Sequence, residues 1–251
     1  MTDQTRKRAE VQVAFATLTR LPVGRIAEPV PTIDRGRWAY PLVGVVIGAV
    51  SGAVALGAGA VGLPPIAAGL LAVMCSILVT GALHEDGLAD CADGFGGGRD
   101  RVAKIAIMKD SRNGSFGTLA LILSVTLRAA AIGALASPVW AIIAIAAASR
   151  FSMVVALENM PAARSDGLGA SAATGGSQAP SAGIIALVAI APMSVIAPSG
   201  TLLAIAAMAV TGMVFARIAT AQIGGQSGDV LGAIQQVTEI TGLLVLSAHL
   251  A

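Results

Sequence analysis

Long apolar runs dominate the chain from residue 41 onward, and seven can be delimited: 41–62, 65–83, 116–136, 138–157, 183–197, 201–223 and 231–250. Most reach the about 20 residues that a helix needs to cross the hydrocarbon of a bilayer. The fifth is short, and the seventh carries Gln235, Gln236 and Glu239. The runs are rich in Gly and Ala, which lets helix backbones approach closely where no hydrophobic effect drives helices together. Ahead of them, Arg6-Lys7-Arg8 precedes residues 11–18, an apolar stretch interrupted by Gln12 and Thr17 and closed by Thr19 and Arg20. That is not the form of a signal peptide, and it predicts an amphipathic segment lying on the membrane surface. The expected fold is all-α. An interfacial N-terminal segment, 1–40, precedes one polytopic integral membrane domain, 41–251, of about six to seven transmembrane helices.

Composition narrows the class. Of the 251 residues 55% are hydrophobic and 12% charged, and the mean hydropathy is +0.81. A soluble domain carries about 25% charged residues. A disordered protein, a disulfide scaffold and an ordinary soluble enzyme are thereby excluded. The net charge of +2 and an aromatic content of 3% offer nucleic acid neither a basic field nor a stacking surface. Cys75 and Cys91 make neither a disulfide framework nor a metal quartet.

Charge placement sets an orientation, because basic residues collect in cytoplasmic loops. Twelve of the 16 Lys and Arg precede Asn113. With the N-terminus in the cytoplasm, residues 84–115, 158–182 with Arg164, and 224–230 all return there. The opposite connections, 63–64, 137 and 198–200, contain no Lys or Arg. The chemistry is expected at the cytoplasmic face.

The most informative stretch is 84–115. Asp86, Asp90 and Asp93 stand at i, i+4 and i+7, so a helix there puts three carboxylates on one face, with Glu85 beside them. Like charges at that spacing oppose a helix unless a cation sits between them. With only oxygen donors and His84 alone, Mg²⁺ or Mn²⁺ is favoured over zinc. The plainer alternative is a solvated acidic face at the end of the second span. Gly94, Gly96, Gly97 and Gly98 are expected to form a loop whose N–H groups approach phosphate, with Arg99, Arg101, Lys104, Lys109 and Arg112 meeting its charge. The combination describes a site for a metal-bound pyrophosphate and suits phosphoryl transfer.

Other polar residues leave alternatives open. His84 is read as a general base, as a support behind the ligands or as an interfacial residue. Arg128 and Arg150 lie inside the third and fourth spans and need either a partner, such as Glu239, or a polar cavity. Arg217 is expected to snorkel, and Cys91 to be packing.

These stretches carry a family resemblance. Leu18-Thr-Arg-Leu-Pro22, Tyr40-Pro-Leu-Val-Gly-Val-Val-Ile-Gly48, His84-Glu-Asp-Gly-Leu-Ala-Asp90 with Ala92-Asp-Gly94, Met108-Lys-Asp-Ser-Arg-Asn-Gly114 with Phe116-Gly117, and Gly224-Gly-Gln-Ser-Gly-Asp229 resemble cobalamin synthases, the adenosylcobinamide-GDP ribazoletransferases. The resemblance covers almost the whole chain. It implies a Mg²⁺-dependent enzyme of a prokaryotic inner membrane that joins adenosylcobinamide-GDP to α-ribazole, or to its 5′-phosphate, and releases GMP.

On that reading His84, Asp86, Asp90, Asp93, Lys109, Asp110 and Arg112 carry catalysis, and Glu85, Asp86, Asp90 and Asp93 hold the metal. Gly94, Gly96, Gly97, Arg99, Arg150, Arg164 and Asp229 meet the substrates, with Asp110 and Asp229 as further ligands or bases. The expected partners are the GDP-activated corrinoid, α-ribazole and the lipid bilayer, with no nucleic acid; self-association and association with other cobalamin-assembly enzymes both stay open. Asp90-x-x-Asp93-Gly94 is also similar to part of the CDP-alcohol phosphotransferase motif, but Gly97 and Gly98 stand where its Ala-Arg pair would fall. A divalent-cation transporter is the rival of another class, disfavoured because the acids cluster at one face rather than at midplane.

Overall fold

A computed structural model of the protein describes residues 2–135, 138–163 and 176–250. The order is α1 (Asp3–Leu18), α2 (Ile33–Gly36), a 3₁₀ turn (Arg37–Ala39), α3 (Tyr40–Ala60), α4 (Pro65–Thr80), α5 (Leu83–Gly97) and α6 (Arg101–Met108). There follow α7 (Ser115–Ala134), α8 (Pro138–Asn159), α9 (Ala179–Ile196), α10 (Pro198–Ile223) and α11 (Gly228–Leu250). Among the described residues no strand forms, and six helices are long and apolar enough to span, or seven if the bent pair α4–α5 is taken as one. This is an integral membrane protein of the expected all-α class.

Three expected elements differ in detail. The fifth run is a helix of 18 residues because it begins at Ala179, ahead of Gly183. The seventh is continuous across Gln235, Gln236 and Glu239, which are buried against other helices rather than facing lipid. The second run, expected as one helix over 65–83, breaks. Gly81 (φ 65°) and Ala82 (φ 60°) both take left-handed backbone, which ends α4 and turns α5 by 93° from it.

Glycines bring the spans together. Gly44, Gly48 and Gly52 recur every fourth residue on α3 and meet α8, where a Cβ would lie 2.7 Å from the Ile143 Cα at Gly48 and 2.9 Å from the Val139 Cα at Gly52. α8 and α11 form the buried centre, flanked by α3 and α7, while α9 and α10 lie at the periphery. The N-terminal helix turns its apolar stripe, Ala9, Val13, Ala14 and Leu18, onto this body. The Trp38 indole N–H donates to Glu10 at 2.9 Å and ties the 3₁₀ turn to α1.

The 93° turn decides where the acidic stretch goes. α5 does not continue α4 but lies across the end of the bundle where α7 and α11 begin. His84 packs on Gly232, Gly87 on Asp229, and Ala89 on Gly117. Those contacts fall within the first five residues of α11 and the first three of α7, so the stretch of α5 from Asp86 to Asp93 lies at this end of the bundle, while Glu85 reaches inward to Arg128.

Candidate active site

Residues 84–115, expected as a loop around one helical acidic face, fold into two helices and two short connections. Glu85 and Asp86 occupy the first turn of α5, where negative charge is favoured by the helix dipole. Asp86 is exposed, Asp90 half-buried and Asp93 buried. Asp229, in the first turn of α11, faces α5 across Gly87, where any Cβ would stand 2.6 Å from the Asp229 carbonyl oxygen. The glycine lets the two helices close until their carboxylates share one electrostatic environment. Burial, and then the charges of Asp86, Asp229 and Asp93, push the Asp90 carboxyl up to about 7.

Asp93 has a second function that its spacing does not reveal. Its oxygens accept the backbone N–H of Gly114 at 2.6 Å and of Gly117 at 2.9 Å. Gly114 is the N-cap of α7 and has no side chain with which to cap it, so Asp93 supplies the cap from another helix. At both glycines a Cβ would collide with the Asp93 carboxylate. The clamp therefore requires Gly at 114 and 117.

Glu85, expected among the metal ligands, turns away from this face. It accepts from Arg128 Nη2 at 2.8 Å and from Gln236 Nε2 at 3.1 Å, below the end of the bundle. Arg128 also approaches Glu239 at 3.4 Å, and Arg150 donates to Glu239 at 2.6 Å. Two guanidiniums thus face two carboxylates inside the membrane body, with Ser124, Ser149, Gln235 and Gln236 filling further hydrogen bonds. For Arg128 and Arg150 the alternative of pairing with Glu239 is the one observed. Arg150, expected at the substrates, is corrected to this network, because at 1% exposure it reaches no solvent.

His84 is also sealed, at 1% exposure. Its Nε2 finds no hydrogen-bond partner among the described residues. Of its three readings, a support behind the carboxylates fits this placement.

The expected glycine loop is a correction as well. Gly94, Gly96 and Gly97 lie within α5, where the helix ladder takes up backbone N–H groups. They are small because neighbours come close: a Cβ at Gly96 would stand 2.7 Å from the Phe116 ring, and one at Gly94 would strike Met108. Of the cations, Arg101 donates to the Ala163 carbonyl at 2.9 Å and Lys104 to Gln222. These two anchor α6. Arg99 and Lys109 are exposed. Arg112 pairs with Asp110 at 2.7 Å on the turn after α6, and its hydrogen bonds hold the Asp110 carboxyl below the usual range. Arg164 lies outside the described residues.

The structure thus gathers Asp86, Asp90, Asp93 and Asp229 and sends Glu85, His84 and Arg150 inward. Among the described residues no three His, Cys, Asp or Glu side chains already converge as ligands. Mg²⁺ asks for less, since it is commonly held by one or two carboxylates together with substrate phosphates. The oxygen-only donors and the carboxylate crowding behind Asp90 fit such an ion.

The family model described as cobalamin-5-phosphate synthase matches residues 10–247. The chain belongs to that family. Relatives named adenosylcobinamide-GDP ribazoletransferase include one from Bradyrhizobium diazoefficiens, 42% identical over 96% of this chain and 94% of its own. One from Azorhizobium caulinodans is 42% identical over 94% of each chain. One from Xanthobacter autotrophicus is 45% identical over 92% of this chain and 91% of its own. No solved structure matches. The region matched to the cobalamin-5-phosphate synthase family contains α5, the Asp93 clamp and Asp229.

Proposed function

We propose that the chain is an adenosylcobinamide-GDP ribazoletransferase, transferring the corrinoid-bearing phosphoryl group to a ribose hydroxyl of α-ribazole or its 5′-phosphate and releasing GMP. The observation that carries this reading is the identity of 42% over nearly the full length of relatives bearing that name. The family description favours the phosphorylated acceptor.

Asp86 and Asp90, one turn apart on the outer face of α5, are the proposed Mg²⁺ ligands, together with oxygens of the substrate pyrophosphate. The metal supplies neutralisation of charge on the attacking and leaving oxygens. Asp229, on the opposite side of Gly87, accepts the proton of the attacking hydroxyl at its carboxylate. Asp93 holds α5 against α7 and so fixes the carboxylates relative to the turn that carries Lys109 and Arg112. Those cations neutralise charge growing on the departing GMP phosphate. The new bond joins the ribose oxygen to the corrinoid-side phosphorus, and the phosphoanhydride bond to GMP breaks.

The distribution of Lys and Arg supports a cytoplasmic position for this end of the bundle, in the inner membrane. The test supplies the purified protein with adenosylcobinamide-GDP plus α-ribazole 5′-phosphate, and separately with a CDP-alcohol donor. GMP and a cobalamin product are expected from the first and no CMP from the second. CMP release without GMP would overturn the reading.

A further inference from the structure

A crevice of about 640 Å³ opens between α8, α9 and α10, away from the carboxylates. α9 packs along α8 and α3, while α10 packs mainly along α11, so two helices joined at Ala197 and in contact with each other favour different neighbours. Phe151 and Ala156 of α8, Ala186 and Ile190 of α9, and Met208 and Ala209 of α10 line it. Its lips, Leu187 and Met213, are 68% and 55% exposed, so it opens sideways along the spanning part of the bundle. The polar side chains at its border are turned back on their own helix: Ser152 donates to the Ala148 carbonyl and Asn159 to the Val155 carbonyl. Among the described residues a charged or hydrogen-bonding ligand finds no partner inside, and water is not held without polar partners. One cation follows the lining residues of α10 in sequence. Arg217 lies one turn beyond Met213 on α10, toward the end where α5 crosses, is exposed, and forms no ion pair with the described residues.

We propose that this crevice is a phospholipid site, with an acyl chain between α9 and α10 and the lipid phosphate against Arg217. The volume lies within the range of about 300–1,000 Å³ that holds one small ligand. The sideways opening admits a chain directly from the bilayer, and the charge at the rim matches a phosphodiester. The C-terminus of α10 leads through Gly224 to Gln226, which is bonded to Pro161 and Ala163 at 2.8 Å each, and then to Asp229. The lipid is therefore placed behind the connection that leads to a site carboxylate at the start of α11.

Native mass spectrometry of the detergent-purified full chain tests this, using palmitoyl-oleoyl phosphatidylglycerol as the probe. Ala209→Trp fills the crevice from an exposed position, and Arg217→Gln removes the rim charge. Wild type is expected to retain one lipid after delipidating washes, with retention falling at least about fivefold in each variant at unchanged helicity. Equal retention by wild type and both variants would mean bulk annular lipid and overturn the proposal. A dimer in which cross-links from Leu187→Cys reach a second copy, with no lipid retained, would also overturn it. The surface variant Arg217→Gln keeps the test decisive should Ala209→Trp fail to fold.

Discussion

Asp93→Asn separates positioning from metal ligation. The wild-type carboxylate accepts two backbone N–H groups, from Gly114 at 2.6 Å and Gly117 at 2.9 Å. Hydrogen bonds to a charged group contribute about 1.5–3 kcal/mol each. Asn keeps one acceptor and turns an amino group toward the other N–H, so one bond is lost and a donor is left facing a donor. The expected cost is therefore at least about 1.5–3 kcal/mol of stability. Thermal unfolding of the detergent-solubilised protein reads this as a fall of several degrees. In the transfer assay kcat should fall while the Mg²⁺ concentration for half-maximal rate stays put. Asp90→Asn should do the reverse, abolishing turnover at any Mg²⁺ concentration with no loss of stability. An Asp93→Asn protein of wild-type stability with a raised Mg²⁺ requirement would refute the clamp and restore Asp93 as a ligand.

Two further outcomes follow from the same geometry. Arg128→Met leaves Glu85, and part of Glu239, charged and unpaired in the membrane body, which should cost about 3–5 kcal/mol; Glu85→Gln on that background should recover part of the loss. Recovery of nothing, in a folding titration of all three variants, would mean the ion pair is not the source. The second concerns pH in metal-free protein. The Asp90 carboxyl is raised from 3.8 to about 7, so folding favours its protonated form; that stability is present below about 4 and lost as pH rises through about 7. Melting temperature in a chelator should fall across this window, and Asp90→Asn or added Mg²⁺ should flatten the fall. A flat wild-type profile would show that the four carboxylates are not crowded.

Most of the membrane architecture was legible because hydropathy needs no knowledge of partners. The runs at 41–62, 138–157 and 201–223 correspond to α3, α8 and α10 with ends shifted by a few residues. The Asp86, Asp90, Asp93 spacing gave the helix, yet could not divide the three residues. Which oxygen faces out depends on α7 and α11, elements distant in sequence. Gly94 to Gly97 misled because glycine serves a phosphate loop and a close helix crossing equally well. Phe116 and Met108, the neighbours that decide between them, are met only in three dimensions. Glu85 misled for the same reason: a carboxylate near a span is a ligand or an ion-pair partner according to where the arginines reach, and Arg128 reaches Glu85 as well as the anticipated Glu239. One signal was available. Gly114 ahead of α7 has no side chain to cap the helix, which called for a carboxylate from elsewhere.

The central claim is that carboxylates on α5 and α11 jointly perform a Mg²⁺-dependent transfer from a GDP-activated corrinoid. It is tested most directly by following GMP formation against Mg²⁺ for wild type, Asp90→Asn and Asp229→Asn in proteoliposomes. The account predicts saturable Mg²⁺ activation of wild type. It predicts no turnover for Asp90→Asn at any Mg²⁺ concentration. For Asp229→Asn it predicts a large fall in kcat at an unchanged Mg²⁺ midpoint. GMP formed at the wild-type rate by both variants, or by wild type in excess chelator, would contradict it.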